Sequence, residues 1–202
     1  MCAPRGGGKR LFAFAHLNAT VSIVFCVAAI WTIVLTLYAI WGFRLTRTGR
    51  RFIREVSNSW PPEAGDIKHG ITLGIGLMIA SIVLEALFPG GEKNATSYAK
   101  TDIDHFFLLI AYIVASISEE IQFRGYFLQQ LAVYTRSTGS AIVLQAVFFV
   151  FMHGLDQSVS GYLTRFAIGI VFGIAAINRK SLWPSITAHL LINITVFIVA
   201  LY

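Results

Sequence analysis

From Leu11 to Phe43 the chain carries no Asp, Glu, Lys or Arg. Such a run can cross a bilayer, which takes about 20 residues, and is too long for the apolar core of a signal peptide. It is read as a retained first helix, although Arg5, Lys9 and Arg10 precede it as a basic region. In lipid an open strand cannot satisfy its backbone, so spanning elements must be helices. The composition agrees: 13% of residues are charged and 56% are hydrophobic, where a soluble domain is about one quarter charged.

Six candidate membrane helices follow from the apolar runs, at roughly 17–43, 69–88, 105–133, 139–154, 158–177 and 182–202. The third is long enough to cross with tilt or with a break near Gly125. Pro89-Gly90-Gly91 stops the second. Pro184 falls in the first turn of the sixth, where proline is tolerated. The expected fold class is therefore all-α, a multi-pass transmembrane bundle. It forms one structural domain, with residues 1–104 supplying the first membrane helices and a basic loop, and 105–202 the remainder.

Arg44, Arg47, Arg50, Arg51 and Arg54 crowd one connection. By the positive-inside rule this loop is cytoplasmic and touches anionic headgroups. Phe52, Ile53 and Val56 among the arginines suit an amphipathic interfacial helix. Residues 89–104, with Glu92, Asp102 and Asp104, are expected outside. That orientation also puts Arg5, Lys9 and Arg10 outside, against the rule. The net charge of +6 is then a membrane-surface signal and not a nucleic-acid one. Cys2 and Cys26 make no disulfide framework, since Cys26 lies inside an apolar span.

Polar groups inside such helices are costly and are by default functional candidates. Glu119-Glu120-Ile121-Gln122-Phe123-Arg124 follows the uncharged run His105–Ser118. Residues four apart on a helix share a face, so Glu120 and Arg124 can pair. Glu119 is turned away by about 100° and is left to face a cavity. The alternative is that both glutamates cap a helix at a wet interface. His153 ends the fourth helix, with Phe149 one turn back to pack against its ring. It can equally be an interfacial histidine favoured by the helix dipole. His189 and Asn193 share one face of the sixth helix. They can make interhelical hydrogen bonds or stabilise an oxyanion. Together, Glu119 with His153 could activate water and His189 with Asn193 could hold the oxyanion. Glu85 is read as interfacial, Arg165 as snorkelling or lining a cavity mouth, and Asp156 and Gln157 as loop. The Asn-x-Ser/Thr triplets at Asn18, Asn94 and Asn193 are of the kind that arise by chance.

These segments form an ordered set: Glu-Glu-x-x-x-Arg at 119–124, Phe-x-x-x-His at 149–153 and His-x-x-x-Asn at 189–193. The set resembles the CPBP family of CAAX prenyl endopeptidases and bacteriocin-processing proteins, also called Abi. The likeness covers about residues 105–200. It implies an intramembrane endopeptidase, with a polar cavity inside the bundle, acting on a hydrophobic or lipidated membrane-associated substrate. In it Glu119 and His153 would activate water and His189 with Asn193 would form the oxyanion side. Glu120 and Arg124 would be a structural pair, with Phe149 in support. The resemblance favours a glutamate-type mechanism without a cofactor, and the zinc signature His-Glu-x-x-His is missing. Zinc stays open, with Glu119, His153 and His189 as its ligands and one position left for water. Two other functions compete: a non-catalytic immunity or scaffold protein of the same family, and an ion pathway. The expected partners are membrane lipids and a hydrophobic or lipidated peptide, with no nucleic acid.

Overall fold

The computed structural model describes residue 26 and residues 30–38, 40–42, 61–90, 101–199 and 201. The arginine-rich stretch 44–54, with its expected cytoplasmic loop, lies outside the described residues, as do the N-terminal basic residues, Asn18 and Asn94. Among the described residues every regular element is helical. The elements are α1 (Ile30–Gly42, over its described residues), α2 (Ala64–Leu87), α3 (Asp102–Thr135), α4 (Thr138–Met152), α5 (Val159–Arg179) and α6 (Trp183–Val199). Each of the six expected segments thus contains a helix. By length and composition α2, α3 and α5 can cross a membrane, while α1, α4 and α6 are apolar but shorter.

Several boundaries differ from the sequence expectation, each for a local reason. The second helix begins at Ala64, not at 69, directly after Pro61, Pro62 and Glu63. Its polar first turn is kept because buried Asp66 accepts from Arg179 at the far end of α5, at 2.7 Å. Asp102 and Asp104 are helical, not part of the preceding loop. Thr101 and Asp104 form a reciprocal capping box: the Asp104 N–H donates to Thr101 Oγ1 and the Thr101 N–H to Asp104 Oδ2, at 3.2 and 3.1 Å. Two orphan amides of the helix start are satisfied this way. α3 is not broken near Gly125. Instead Ile121–Phe127 winds as a π-helix, and the Leu128 N–H bonds the Phe123 carbonyl five residues back. The helix then ends at Arg136 in the left-handed region, φ 55°, and Ser137 caps α4 by accepting from the Ser140 N–H at 3.2 Å.

Glycines draw the helices together. Gly70 and Gly74 of α2 face α6, and a Cβ at Gly70 would stand 2.6 Å from both the Pro184 carbonyl oxygen and Thr187 Cβ. Gly169 and Gly173 of α5 face α4, and a Cβ at Gly169 would stand 2.6 Å from Ala146 Cβ. Small residues four apart let backbones approach closely where lipid supplies no hydrophobic drive between helices. The outer surface is apolar, with Ile71, Ile75, Ile79 and Ile82 exposed along α2. The interior carries Ser116, Glu120, Arg124, Gln145, Ser185 and His189, all buried, beside apolar clusters such as Leu77, Phe172 and Ala188. Apolar outside and polar inside is the arrangement expected of an integral membrane bundle.

Candidate active site

α3 and α6 run antiparallel where they meet, and two polar rungs one helical turn apart join them. Asn193 Nδ2 donates to Ser116 Oγ at 3.0 Å, and His189 Nδ1 lies 2.9 Å from Glu120 Oε1. Ser116 and Glu120 are four apart on one helix, and His189 and Asn193 four apart on the other, so the rungs follow from shared faces. Below them Leu108 packs with Phe197 in the same register.

Glu120 anchors the rung farther from Leu108. Its Oε1 also accepts from Arg124 Nη1 at 2.9 Å, and neither side chain has any exposed surface. Arg124 Nη2 reaches the Ile168 carbonyl of α5 at 3.4 Å. The guanidinium lies 4.5 Å from the ring centre of Phe149 and 5.2 Å from that of Phe172. Burying two charges is costly unless they are paired and hydrogen-bonded, and aromatic faces add cation–π attraction. One carboxylate therefore ties α3 to α6 through His189, and its arginine partner ties α3 to α4 and α5.

Glu119 lies apart from that rung. Its side chain is 25% exposed and that of His153 is 29% exposed. Glu119 Oε2 stands 3.9 Å from His153 Nε2 and has no hydrogen-bond partner among the described residues. His153 Nδ1 lies 2.8 Å from the Phe149 carbonyl. A carbonyl only accepts, so Nδ1 carries a proton and Nε2 is the nitrogen presented to Glu119. The same bond satisfies an orphan carbonyl at the end of α4.

The turn that carries His153 is held from both sides. Phe149 packs on the His153 ring with centroids 4.7 Å apart. Gly154 takes φ 96°, a conformation that side chains with a Cβ rarely adopt. Gln157 Nε2 donates to the carbonyls of Val150, at 3.0 Å, and Gly154. Gln157 Oε1 accepts from Arg165 Nη1 of α5 at 3.0 Å. Arg165, expected to snorkel or line a mouth, thus clamps the loop after the histidine.

Of the residues singled out from the sequence, Glu119 and His153 meet, and Glu120 meets Arg124 as the i, i+4 spacing predicts. His189 turns Nδ1 to Glu120, and Asn193 turns Nδ2 to Ser116. Among the described residues no three His, Cys, Asp or Glu side chains form a metal-holding group. Sequence reasoning read Gln157 as loop, where it lies, but missed its clamping bonds, and it missed Ser116 and the bond from Gln122 Nε2 to Thr36 Oγ1 of α1, at 2.8 Å. Ser116 was legible only as a hydroxyl one turn before Glu120 inside an apolar run.

Compared with known families, residues 102–195 match the model described as Rce1-like, the type II CAAX prenyl endopeptidase Rce1-like family. No curated protein and no solved structure matches the chain. The three-motif resemblance is thereby borne out over that segment, which contains every residue of the two rungs and of the Glu119–His153 pair. The match supports a CAAX-protease-type intramembrane function.

Proposed function

We propose, from the Rce1-like character of residues 102–195, that the protein is an intramembrane endopeptidase in which Glu119 and His153 activate water. The carrying observation is the division of the two glutamates: Glu120 is fully buried and paired, whereas Glu119 is partly exposed and turns a buried oxygen without a hydrogen-bond partner among the described residues toward His153. A water at a normal hydrogen-bond length of about 2.8 Å from both atoms closes a triangle over the 3.9 Å edge between Glu119 Oε2 and His153 Nε2. Water attack on a peptide carbonyl then passes one proton to this pair. The water oxygen bonds the scissile carbon, and the carbonyl oxygen becomes an oxyanion.

Asn193 and His189 serve the oxyanion. Asn193 keeps one N–H beyond the bond to Ser116, because its amide nitrogen has two. His189 gives Nδ1–H to Glu120 and offers Nε2–H when both ring nitrogens carry protons, with the Glu120 carboxylate balancing that charge. Collapse of the tetrahedral species breaks the C–N bond, and the proton held by Glu119 or His153 goes to the leaving amine. The substrate class in this reading is a hydrophobic or lipidated peptide segment delivered from the membrane. The apolar exterior and the buried position of the polar layer support it.

The test is cleavage of a lipidated C-terminal peptide in proteoliposomes, read by mass spectrometry of both fragments. Wild-type protein should cut at one bond, and Glu119→Gln and His153→Ala should each lose the product while remaining monodisperse. Equal turnover by all three proteins would overturn the reading. Membrane function retained by a well-folded Glu119→Gln protein would instead favour a non-catalytic role.

A further inference from the structure

Asn193 can serve an oxyanion only if its amide presents nitrogen and not oxygen, and the side-chain amide can rotate to offer either. What fixes that choice lies on α3. Ser116 Oγ is 2.7 Å from the Tyr112 carbonyl oxygen, four residues back on the same helix. A carbonyl has no proton to give, so the Ser116 hydroxyl proton is committed to Tyr112. Ser116 Oγ can then only accept. The side-chain atom of Asn193 that lies 3.0 Å from it must carry a proton, and this is Nδ2. The flipped amide would bring Oδ1 against an oxygen whose proton is already used. Ser116 has no exposed surface, so water cannot rescue the wrong orientation.

We infer that Ser116 is a positioning residue for the proteolytic reaction, locking the Asn193 amide with its second N–H toward the developing oxyanion. The inference rests on the endopeptidase reading above and deepens it. Ser116 is fully buried. It acts through Asn193, and its own hydroxyl is polarised by the backbone of the helix that carries Glu119. The rung therefore ties the oxyanion donor of α6 to the helix that carries the water-activating carboxylate: Ser116 is three residues before Glu119 on α3.

The test is a double-mutant cycle on the full-length protein in proteoliposomes, read as kcat and KM for a fixed peptide. Asn193→Ala should lower kcat by roughly 100- to 1,000-fold, the usual cost of an oxyanion donor. Ser116→Ala should lower kcat by about tenfold, a fraction of that donor's full worth, with KM unchanged. Ser116→Cys keeps nearly the same volume but accepts poorly, and it should lose kcat as alanine does. This variant separates hydroxyl chemistry from an emptied cavity if Ser116→Ala folds badly. Ser116→Thr restores the back-bonded hydroxyl and should recover kcat. The deciding comparison is Ser116→Ala in the Asn193→Ala background, where no further loss is expected. An additional tenfold loss there, or wild-type kcat in both Ser116→Ala and Ser116→Cys, would overturn the inference while leaving the endopeptidase reading intact. Wild-type kcat in Asn193→Ala would remove the oxyanion role itself, and the inference with it. If the wild-type protein cuts nothing, the endopeptidase reading fails first.

Discussion

Replacing Arg124 by methionine should destabilise the bundle through the charge it leaves behind. Arg124 gives Glu120 a 2.9 Å hydrogen bond, and both side chains are fully buried. Removing one member of such a pair costs about 3–5 kcal/mol, because the other charge stays desolvated and uncompensated. His189 still bonds the same Glu120 oxygen at 2.9 Å, so the expected loss lies near the lower end, about 3 kcal/mol. The aromatic contacts matter less. Methionine keeps part of the packing against Phe149 and Phe172 through its polarizable thioether. The second half of the prediction is a rescue. Glu120→Gln combined with Arg124→Met removes both charges, and neutral replacements of buried pairs are often close to neutral in stability. Equilibrium unfolding in mixed micelles would measure the wild type, both single variants and the double variant. The double variant should be more stable than Arg124→Met alone by about 1–3 kcal/mol, a coupling of the size found between contacting residues. Arg124→Met within about 1 kcal/mol of wild type, or a double variant less stable than it, would refute the argument that pairing offsets burial here.

Other consequences follow from packing, capping and site chemistry. Gly70→Leu should destabilise the α2–α6 contact by roughly 1–3 kcal/mol or more, since even a Cβ there meets Pro184 and Thr187 at 2.6 Å; the same unfolding assay reads it. Thr101→Ala should cost about 1 kcal/mol as a lost N-cap, measurable by hydrogen exchange confined to the first turns of α3. Gln157→Ala should lower kcat with little change in unfolding, because it frees the turn that carries His153 without opening the core. A strong zinc chelator should leave turnover unchanged if the side chains act alone, and a loss restored by added zinc would redirect the mechanism to a metal.

Much of this site was legible as spacing. The Glu120–Arg124 pair, the outlying Glu119, and the shared face of His189 and Asn193 all follow from helical periodicity. Periodicity assigns faces but not partners, so it gave no sign that His189 bonds Glu120 or that Asn193 bonds Ser116. It also assumes one winding throughout, and the π-helical turn at Ile121–Phe127 was invisible to it; tilt or a break near Gly125 was the expectation. The charges of Asp102 and Asp104 suggested a loop, although Thr101 three residues before Asp104 was a readable capping signal. Hydropathy placed the start of α2 too late because Asp66 is polar, and its compensation, Arg179, lies more than a hundred residues away. Such long-range compensation is a property of the fold and leaves no local trace.

The central claim is that two adjacent glutamates do different work. The direct measurement is turnover and stability together for Glu119→Gln and Glu120→Gln, each purified and reconstituted beside the wild type. Glu119→Gln should unfold like wild type yet lose kcat by about 100- to 10,000-fold, the usual worth of a general base. Glu120→Gln should show its defect first in stability. A Glu119→Gln protein that is equally stable and still cleaves its peptide at the wild-type rate would contradict the account.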